Sequence, residues 1–484
     1  MSAFTCPEAE CLVSAGLQSR ILLPADDEYA TRINSYWCNS AKLRPACIVQ
    51  PQSSAEVATA IKALGAAVQP FAIRAGGHGN SGGHGHAANN NVDGGVLVDL
   101  AHLATTEYDT ATQMAHLGPA AQWKTVYEVL EKHGRVVAGA REAEVGVGGF
   151  LLGGGNTFRT GRYGFSCDSV VAYEVVLADG RIVTADATGP HADLFHVLKG
   201  GGNNFGVITR FTMATMQSGP LWGGYVVRPV DVFPAAADAI VDFTANQLPQ
   251  DPDSTLNFTV AHMPRLGGSA VVTICTNVAA VEDPPAFAQF RQMPEVVNNI
   301  KVTSLQEVLP YASLPSAYYN IWYTLTFKND ASIILKANEL HTQLAADVGA
   351  KVTDGDFTTH LSFQPLPKTL TQRSKTSNIL GLDTYPYDAI LIQVNASVRT
   401  SELATWAQPR VKAFIDQLGE FCSTVEGGLC PWLYMNYAHA DQKVLQSYGP
   451  DNVRKLREAA AKYDPSEVFQ RLCVGGFKIS LVRG

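Results

Sequence analysis

The chain has 484 residues, 46% of them hydrophobic and 17% charged, with 42 Gly and 25 Pro. This composition is typical of a globular protein and excludes coiled-coil, collagen-like and disordered chains. At about 150 residues per domain, the length predicts about three domains or two large ones. The net charge of -8 at pH 7 leaves no excess of Lys and Arg to displace counterions, so nucleic acid is excluded as the main partner.

Membrane and export signals are absent from the sequence pattern. No apolar run reaches the roughly 18 to 20 residues of a membrane-spanning helix, so we expect no membrane partner. The first thirty residues lack the basic and apolar regions of a signal peptide, which leaves a mature secreted protein or a cytoplasmic one. Glycosylation sequons at Asn257 and Asn395 favour secretion, which is the prediction, and we expect a monomer.

The nine cysteines are an odd number, so at least one thiol is free or paired between chains. No CxxC pair or zinc-finger spacing occurs, and His84-x-His86 has no evident third ligand, so no metal site is predicted. Two alternatives stay open for the thiols. Either they are buried and free, or bridges join Cys6 or Cys11 to Cys38 or Cys47 and Cys422 to Cys430.

The first 213 residues alternate between short helices and strands. Ser53 and Glu56 form a capping box, which starts a helix whose apolar residues recur on one face. Asp179-Gly180 is a hairpin signal between two β-rich runs. The patterns predict helices at 53–67, 123–133 and 191–198, and strands at 71–74, 96–100, 136–137, 170–177, 181–185 and 207–213.

The pattern changes near residues 216–220, where glycine clusters give way to longer strands and helices. This change indicates a second domain. The predicted elements are strands at 256–260, 270–275 and 389–394, and helices at 331–348 and 452–462, the last ended by Asp464-Pro465.

Three glycine clusters lie in the first 210 residues, at 76–83, 145–155 and 200–206. Glycine costs about 0.5 to 1 kcal/mol relative to alanine inside helices and strands, so these clusters are predicted to be functional loops. Consecutive backbone N–H groups without side chains hold phosphate oxygens, which indicates a nucleotide ligand. A Rossmann fold and a P-loop are disfavoured, because Gly200–Gly206 leads into a β-rich run and no GxxxxGK[ST] sequence occurs.

Several motifs together carry a family resemblance: Arg74-Ala-Gly-Gly-His78 after a strand, Val145-Gly-Val-Gly-Gly-Phe-Leu-Leu-Gly-Gly-Gly155, Lys199-Gly-Gly-Gly-Asn-Asn-Phe-Gly206, and Tyr434-Met-Asn-Tyr437 near the end. From about residue 40 to the C-terminus, the chain resembles the vanillyl-alcohol-oxidase superfamily in its berberine-bridge-enzyme-like branch. The resemblance implies an α+β fold: a two-part FAD-binding domain of the PCMH type, with an inserted α/β substrate domain whose antiparallel sheet covers the flavin. The implied divisions are an N-terminal segment at 1–40, the FAD-binding domain at 41–216, the substrate-binding domain at 217–430, and a C-terminal segment at 431–484 that returns to the FAD domain.

The resemblance implies FAD as the cofactor, bonded covalently through its 8α-methyl group to His78. A neutral imidazole nitrogen is a competent nucleophile for this bond. Many relatives carry a second link through a cysteine; that position is Glu142 here, so we expect a single link. The residues implied to bind FAD are Arg74, Gly76, Gly77, His78, Gly79, Asn80, Ser81, Val145, Gly146, Gly148, Gly149, Gly153, Gly154, Asn156, Gly206, Val207, Asn436 and Tyr437.

A flavin oxidase also needs a base for the substrate proton. The resemblance places the tail at the active site, and on an extended tail Tyr434 and Asn436 point one way and Tyr437 the other. Alternation along a predicted strand places His360, Ser362 and Gln364 on one face, a pattern typical of a strand that lines a pocket. The candidate catalytic residues are Tyr434, His360 and Gln364, and the choice of base between His360 and Tyr434 stays open.

The resemblance implies an FAD-dependent oxidase with a small-molecule substrate and O2 as its partners. Such an enzyme removes a hydride from an alcohol, hemiacetal or amine carbon to flavin N5 and reduces O2 to hydrogen peroxide. Two alternatives stay open. One is an oligosaccharide C1 oxidase that gives a lactone, with Trp222, Trp322 and Tyr318 as aromatic platforms, and the other is a non-redox flavoprotein cyclase.

Overall fold

The computed structural model describes residues 6–79, 87–88, 90–312, 315–373 and 377–482. Asn80 and Ser81, predicted to bind FAD, lie outside the described residues, as do His84 and His86.

The chain up to residue 217 builds two main sheets and the helices around them. Its strands are β1 (Ile21–Leu22), β2 (Cys47–Val49), β3 (Phe71–Arg74), β4 (Ala87–Ala88), β5 (Asn91–Val92), β6 (Val96–Asp99), β7 (Thr106–Asp109), β8 (Met114–Leu117), β9 (Arg135–Val136), β10 (Val170–Val176), β11 (Ile182–Asp186), β12 (Val207–Ala214) and β13 (Met216–Gln217). Its helices are α1 (Glu10–Ser14), α2 (Asp27–Asn34), α3 (Ser54–Ala66), α4 (Trp123–Glu131), α5 (Val147–Leu152), α6 (Thr160–Tyr163) and α7 (Ala192–Leu198). Among the described residues, one main sheet has the order β1-β2-β6-β3, with β2 and β3 parallel to β6, and the other is the antiparallel sheet β11-β10-β12-β8-β7.

Local sequence signals explain how several of these elements begin and turn. The Ser53 hydroxyl accepts a hydrogen bond from the backbone N–H of Glu56 at 3.2 Å and starts α3, as predicted. The Glu56 carboxylate accepts from the backbone N–H of Gln52 at 2.8 Å, one residue outside the standard capping box. Gly180 has φ +84° in the turn between β10 and β11, so the predicted Asp179-Gly180 hairpin is confirmed.

The middle of the chain forms a large antiparallel sheet with helices on one face. Its strands are β14 (Leu221–Arg228), β15 (Ser254–Met263), β16 (Gly268–Asn277), β17 (Val297–Asn298), β18 (Lys301–Thr303), β19 (Tyr319–Lys328), β20 (Thr358–Leu366), β21 (Ala389–Val398) and β22 (Leu429–Cys430). Within the described residues the strand order is β17-β14-β16-β15-β20-β21-β19-β22, with β18 also paired to β14. The helices are α8 (Phe233–Asp242), α9 (Leu248–Gln250), α10 (Ala288–Arg291), α11 (Leu305–Val308), α12 (Ala331–Lys351), α13 (Lys368–Thr371) and α14 (Ser401–Ser423).

The two faces of this large sheet have different surroundings. On β20, Leu361 and Phe363 belong to a hydrophobic core that includes residues of α8, α12 and α14. His360, Ser362 and Gln364 alternate with them and point to the opposite face. The large sheet therefore packs its apolar side against helices and presents a polar strip on the other side.

The C-terminal tail packs back onto the first part of the chain. Its helix α15 (Pro450–Tyr463) contributes Leu456 to the core that contains Leu198 and Phe205, and Phe469 packs against Phe71 with ring centroids 6.3 Å apart. The predicted extended conformation at 434–437 is wrong, because Met435–Tyr437 is a 3-10 helix. The backbone N–H of Tyr437 bonds to the carbonyl of Tyr434 at 3.0 Å and curls this stretch, so the predicted alternation of its side chains does not hold.

The predicted α+β class, with antiparallel sheets, is confirmed, while the domain boundaries stay a prediction. All nine cysteines lie within the described ranges and none of them forms a disulfide; Cys11 is partly exposed and the others are buried, as in the buried-thiol alternative. No helix among the described residues is both long and apolar enough to cross a membrane. The same residues bring together no group of three His, Cys, Asp or Glu side chains that could hold a metal ion.

Candidate active site

A cavity of about 610 Å³ lies between the glycine-rich loops of the first part and the polar face of the large sheet. This volume is within the range of small-molecule and cofactor sites. The loops contribute residues from within 75–79, 140–149 and 202–208, the large sheet contributes six of its strands, and the tail contributes residues 434–437 and 476–477. The cavity therefore joins three separate stretches of the sequence.

The structure brings most of the predicted site residues to this cavity. The lining includes the candidate catalytic residues Tyr434, His360 and Gln364. It also includes the predicted FAD-binding residues Gly76, Gly77, His78, Gly79, Val145, Gly146, Gly148, Gly149, Asn156, Gly206, Val207, Asn436 and Tyr437. Arg74, Gly153 and Gly154 do not line it.

Arg74 lies behind the first glycine loop instead of facing the cavity. Its guanidinium packs 3.8 Å from the ring centroid of Tyr36 and donates to the backbone carbonyl of Arg32 and, at 2.8 Å, to the Ser35 hydroxyl. A Cβ at Gly77, which has φ +73°, would lie 2.8 Å from two Arg74 side-chain nitrogens. The Arg74 side chain therefore packs against the turn at Gly77 from behind the loop.

Two glycines allow the first two loops to cross at contact distance. A Cβ built on Gly76 would lie 2.5 Å from the Cα of Gly146, and a Cβ on Gly146 would lie 2.5 Å from the Cα of Gly76. Real Cβ atoms do not approach backbone this closely, so each position requires glycine. The crossing forms the floor of the cavity beside His78.

His78 sits where the glycine loop meets the cavity. Its ring stacks on Trp37 with centroids 4.4 Å apart and an interplanar angle of 11°, and its Nε2 lies 3.4 Å from the Glu142 carboxylate. Burial lowers the pKa of His78 to about 4, and neither its own backbone carbonyl nor the charge of Glu144 reverses this. The imidazole is therefore neutral at pH 7.

The tail brings two tyrosines to the cavity with different partners. The Tyr434 hydroxyl accepts hydrogen bonds from the backbone N–H of Asn156 at 2.8 Å and from Asn436 Nδ2 at 3.1 Å, and burial raises the pKa of this phenol well above its usual value. The Tyr437 hydroxyl accepts from Arg141 Nη2 at 3.0 Å and from Gln364 Nε2 at 3.1 Å. Tyr437 is thus the tyrosine that has a positive charge beside its oxygen.

Arg141 is the site residue that the sequence analysis missed. Its Nη2 also donates to Gln364 Oε1 at 2.7 Å, and that oxygen accepts from Asn156 Nδ2 at 2.9 Å. The sequence feature that could have indicated Arg141 is its position next to Glu142, just before the second glycine cluster. Buried Arg141 and Gln364 and half-buried Tyr437 form a polar network across the boundary between loop, large sheet and tail.

The large sheet supplies a polar wall. His360, Ser362 and Gln364 on β20 line the cavity with Gln393 and Asn395 on β21, which confirms the predicted alternation on β20. Burial lowers the pKa of His360 to about 4, although the neighbouring Asn395 opposes this shift.

Several lining groups, among them Asn257 Oδ1 and Trp322 Nε1, have buried polar atoms to which the described residues offer no hydrogen-bond partner. Buried polar groups are normally paired, so these atoms indicate a ligand with polar atoms of its own. Both sequon asparagines, Asn257 and Asn395, line this cavity, and the Asn395 side chain is fully buried. Asn395 therefore has no room for a glycan, and neither asparagine is displayed on the outer surface as a glycosylation site would be.

The predicted aromatic platforms do not come together. Trp322 lines the cavity and meets Tyr437 edge-on at 6.0 Å. Trp222 is buried in the helix-covered core, stacked on Phe287 at 5.6 Å, and Tyr318 lies outside the cavity with its hydroxyl donating to Asp356 at 2.7 Å. The platform set predicted for an oligosaccharide is therefore wrong for Trp222 and Tyr318.

The fold and the glycine crossing define a class of protein, the FAD-binding oxidoreductases. Residues 45–186 match the model of a family described as "FAD binding domain", and residues 433–471 match "Berberine and berberine like". A protein named FAD-dependent monooxygenase drtC, from Aspergillus calidoustus, is 34% identical over 487 residues, covering 98% of this chain and 91% of the relative. The chain belongs to the family of FAD-binding, berberine-bridge-enzyme-like oxidoreductases that these matches define.

Solved structures share the fold at low sequence identity. The 6-hydroxy-D-nicotine oxidase from Arthrobacter nicotinovorans has a TM-score of 0.78 at 18% identity, covering 96% of this chain and 98% of the other. Glucooligosaccharide oxidase from Acremonium strictum, described with a 6-S-cysteinyl, 8α-N1-histidyl FAD, has a TM-score of 0.78 at 19% identity, covering 97% and 98%. The residues present fit FAD, because the two loops that cross at Gly76 and Gly146 present glycine backbone, without side chains, to the cavity.

Proposed function

We propose that this protein is an FAD-dependent oxidase that removes two electrons from an alcohol, hemiacetal or amine carbon of a small molecule and forms hydrogen peroxide from O2. The observation that carries the proposal is one cavity that joins the glycine crossing, the neutral His78 and the polar wall of the large sheet. FAD, when bound, supplies the two-electron acceptor. The side chains of this chain bind the substrate, exclude water and hold its proton.

FAD is proposed to be linked to His78 alone. The ring is neutral at pH 7, as a nucleophile must be, and Trp37 holds it by stacking. Glu142 has no thiol to form a second bond. In the His78→Ala variant, we expect FAD that is released by acid, whereas the wild type keeps its flavin in the precipitate; flavin kept by the variant would contradict the linkage.

The substrate is proposed to be uncharged, with a polar and an apolar side. Among the described residues that line the cavity, the charged ones are Arg141 and Glu142, and both contact other side chains of the site. Strands β20 and β21 present Ser362, Gln393 and Asn395 to the cavity, while β14 and β16 present Tyr225, Val227, Val272 and Ile274, with Tyr311 packed against Tyr225.

Tyr437 is proposed to take the substrate proton, in place of the predicted Tyr434 or His360. Two donors, one of them cationic, point at the Tyr437 oxygen, where proton removal needs negative charge to be stabilised. Tyr434 has a raised pKa and binds the tail to Asn156, and the pKa of about 4 makes His360 a weak base near pH 7. Gln364 then orients Tyr437, and His360 contributes to substrate binding.

The proposed oxidation is tested by mixing the yellow protein anaerobically with uncharged alcohols and amines. The expected result is bleaching of the flavin absorbance, followed on admission of O2 by recovery of the colour and one hydrogen peroxide per substrate. Product formed without bleaching would support the non-redox cyclase alternative and contradict the oxidase.

Monooxygenation is the second candidate, since sequence relatives are named FAD-dependent monooxygenases. The two reactions differ in the fate of O2. An oxidase incorporates no atom of 18O2 into its product and needs no added reductant, whereas a monooxygenase incorporates one atom and consumes an external electron donor. Mass spectrometry of the product separates them.

A further inference from the structure

Glu142 approaches one nitrogen of His78. Its carboxylate oxygen lies 3.4 Å from Nε2, and both side chains keep 17% of their surface exposed at the edge of the cavity. Glu144, two residues on, affects the ring only through its charge, because it is exposed and its carboxylate accepts from Gln122 Nε2 at 3.1 Å. Glu142 and His78 are therefore a specific pair.

We propose that Glu142 is a positioning residue for flavin attachment: it holds the proton of His78 on Nε2 and so leaves the Nδ1 lone pair to bond FAD. A neutral imidazole carries one proton, and a carboxylate beside one nitrogen selects the tautomer with the proton there. Stacking on Trp37 fixes the ring plane, so the selected nitrogen keeps one direction. This inference rests on the proposed His78 linkage and adds the group that activates it.

In the attachment step, the bond between Nδ1 and the flavin 8α-carbon forms, while one C–H bond of the 8α-methyl group and the Nε2–H bond break. Glu142 accepts the Nε2 proton and releases it to the flavin, and the electron pair of the C–H bond reduces the flavin to its dihydro form, so that both protons end on the flavin. O2 then reoxidises the linked flavin and becomes hydrogen peroxide.

The test compares Glu142→Gln with Glu144→Gln, which removes the same charge from the same loop. Each full-length variant is produced under riboflavin limitation and incubated with FAD, and covalent flavin is followed by in-gel fluorescence. We expect attachment to slow about 10- to 100-fold in Glu142→Gln, the size typical for loss of a group that orients a reactive histidine, and to stay within about twofold of wild type in Glu144→Gln. Glu142→Asp should recover part of the rate.

Total FAD per chain and the melting temperature separate this role from a folding defect, because a positioning role leaves both near the wild-type values. Attachment in Glu142→Gln at the wild-type rate would overturn the role of Glu142 and leave the His78 linkage intact. A wild-type chain that releases its FAD in acid would overturn both. If Glu142→Gln does not fold, the rate of flavin attachment in Glu142→Asp is the deciding measurement. An attachment rate in Glu142→Asp that is no higher than the rate in His78→Ala overturns the proposal.

Discussion

Tyr437 and Tyr434 lie on one turn of 3-10 helix, with ring centroids 4.8 Å apart at 85°, yet their hydroxyls have different partners. Arg141 and Gln364 donate to Tyr437, while Asn156 and Asn436 donate to Tyr434. The difference separates a chemical role for the first tyrosine from a structural role for the second.

Tyr437→Phe should therefore slow anaerobic flavin reduction by at least about 100-fold, the usual size of a lost general base. Tyr434→Phe should slow it much less but cost about 1 to 3 kcal/mol of stability, because the buried N–H of Asn156 and the half-buried amide of Asn436 lose their acceptor. Stopped-flow bleaching and thermal melting check the pair, and equal losses of rate in both variants would contradict the assignment.

At Gly76, the addition of a single Cβ atom should disturb the crossing of the two glycine loops. In Gly76→Ala the new Cβ meets the backbone of Gly146 at 2.5 Å, so the two loops must part. We expect about 1 to 3 kcal/mol of destabilisation, as for overpacking, and a lower FAD content per chain. Gly219→Ala is the control, since its Cβ would meet no atom within 4 Å; absorbance at the flavin band and melting curves of both variants give the answer.

Strand β20 contributes side chains both to the hydrophobic core and to the cavity. Its register with β15 and β21 fixes which side chains face the helices and which face the cavity. Phe363 packs between Phe233 and Phe258, with ring centroids 5.8 and 6.4 Å away, while Ser362 shares a hydrogen bond with Thr259 at 2.7 Å on the other face.

Phe363→Ala should destabilise the protein by about 3 to 5 kcal/mol through the cavity it leaves in the core. Ser362→Ala, one residue away on the opposite face, should cost no more than about 1.5 kcal/mol, the usual worth of one hydrogen bond. Melting temperatures of the two holoenzymes check the contrast, and comparable losses would show that β20 is not held in this register.

At the scale of the whole molecule, the site exists only when distant stretches pack together. The tail places Trp432 and Tyr434 against Phe165, each with ring centroids 6.0 Å apart, and residue 469 against residue 71. Folding also buries histidines: burial lowers the pKa of His78 and His360 to about 4 and that of His341 to about 3.

Buried neutral histidines make stability depend on pH. An unfolded histidine has a pKa near 6.5, so below that value the unfolded chain binds more protons than the folded one and stability falls as pH falls towards 4. Each such histidine contributes up to about 1.4 kcal/mol per pH unit. His341→Leu, outside the cavity, should therefore lose less melting temperature than wild type between pH 7 and pH 5, whereas the exposed His102→Leu should follow wild type.

The sequence allowed prediction wherever the signal is local. The capped helix after Ser53, the Asp179-Gly180 hairpin and the polar alternation on β20 depend on neighbouring residues and were predicted correctly. The glycine clusters at 76–79 and 145–149 indicated a ligand because glycines at such density need a reason beyond local structure.

Features set by contacts between distant stretches were missed. The turn at 435–437 follows from packing of the tail against the first part, and its residues taken alone favour a strand. Arg141 is identified as a site residue by its hydrogen bonds to Gln364 and Tyr437, which are more than 200 residues away in the chain. The pair of Glu142 and His78 is likewise a tertiary contact, without a pattern in the sequence.

The most direct measurement is the mass of the wild-type polypeptide after acid denaturation. We expect a chain heavier by one FAD less two hydrogen atoms, and a peptide containing His78 that carries the added mass. A chain of unmodified mass with free FAD in the supernatant would contradict the single histidyl linkage on which this account of the cavity centres.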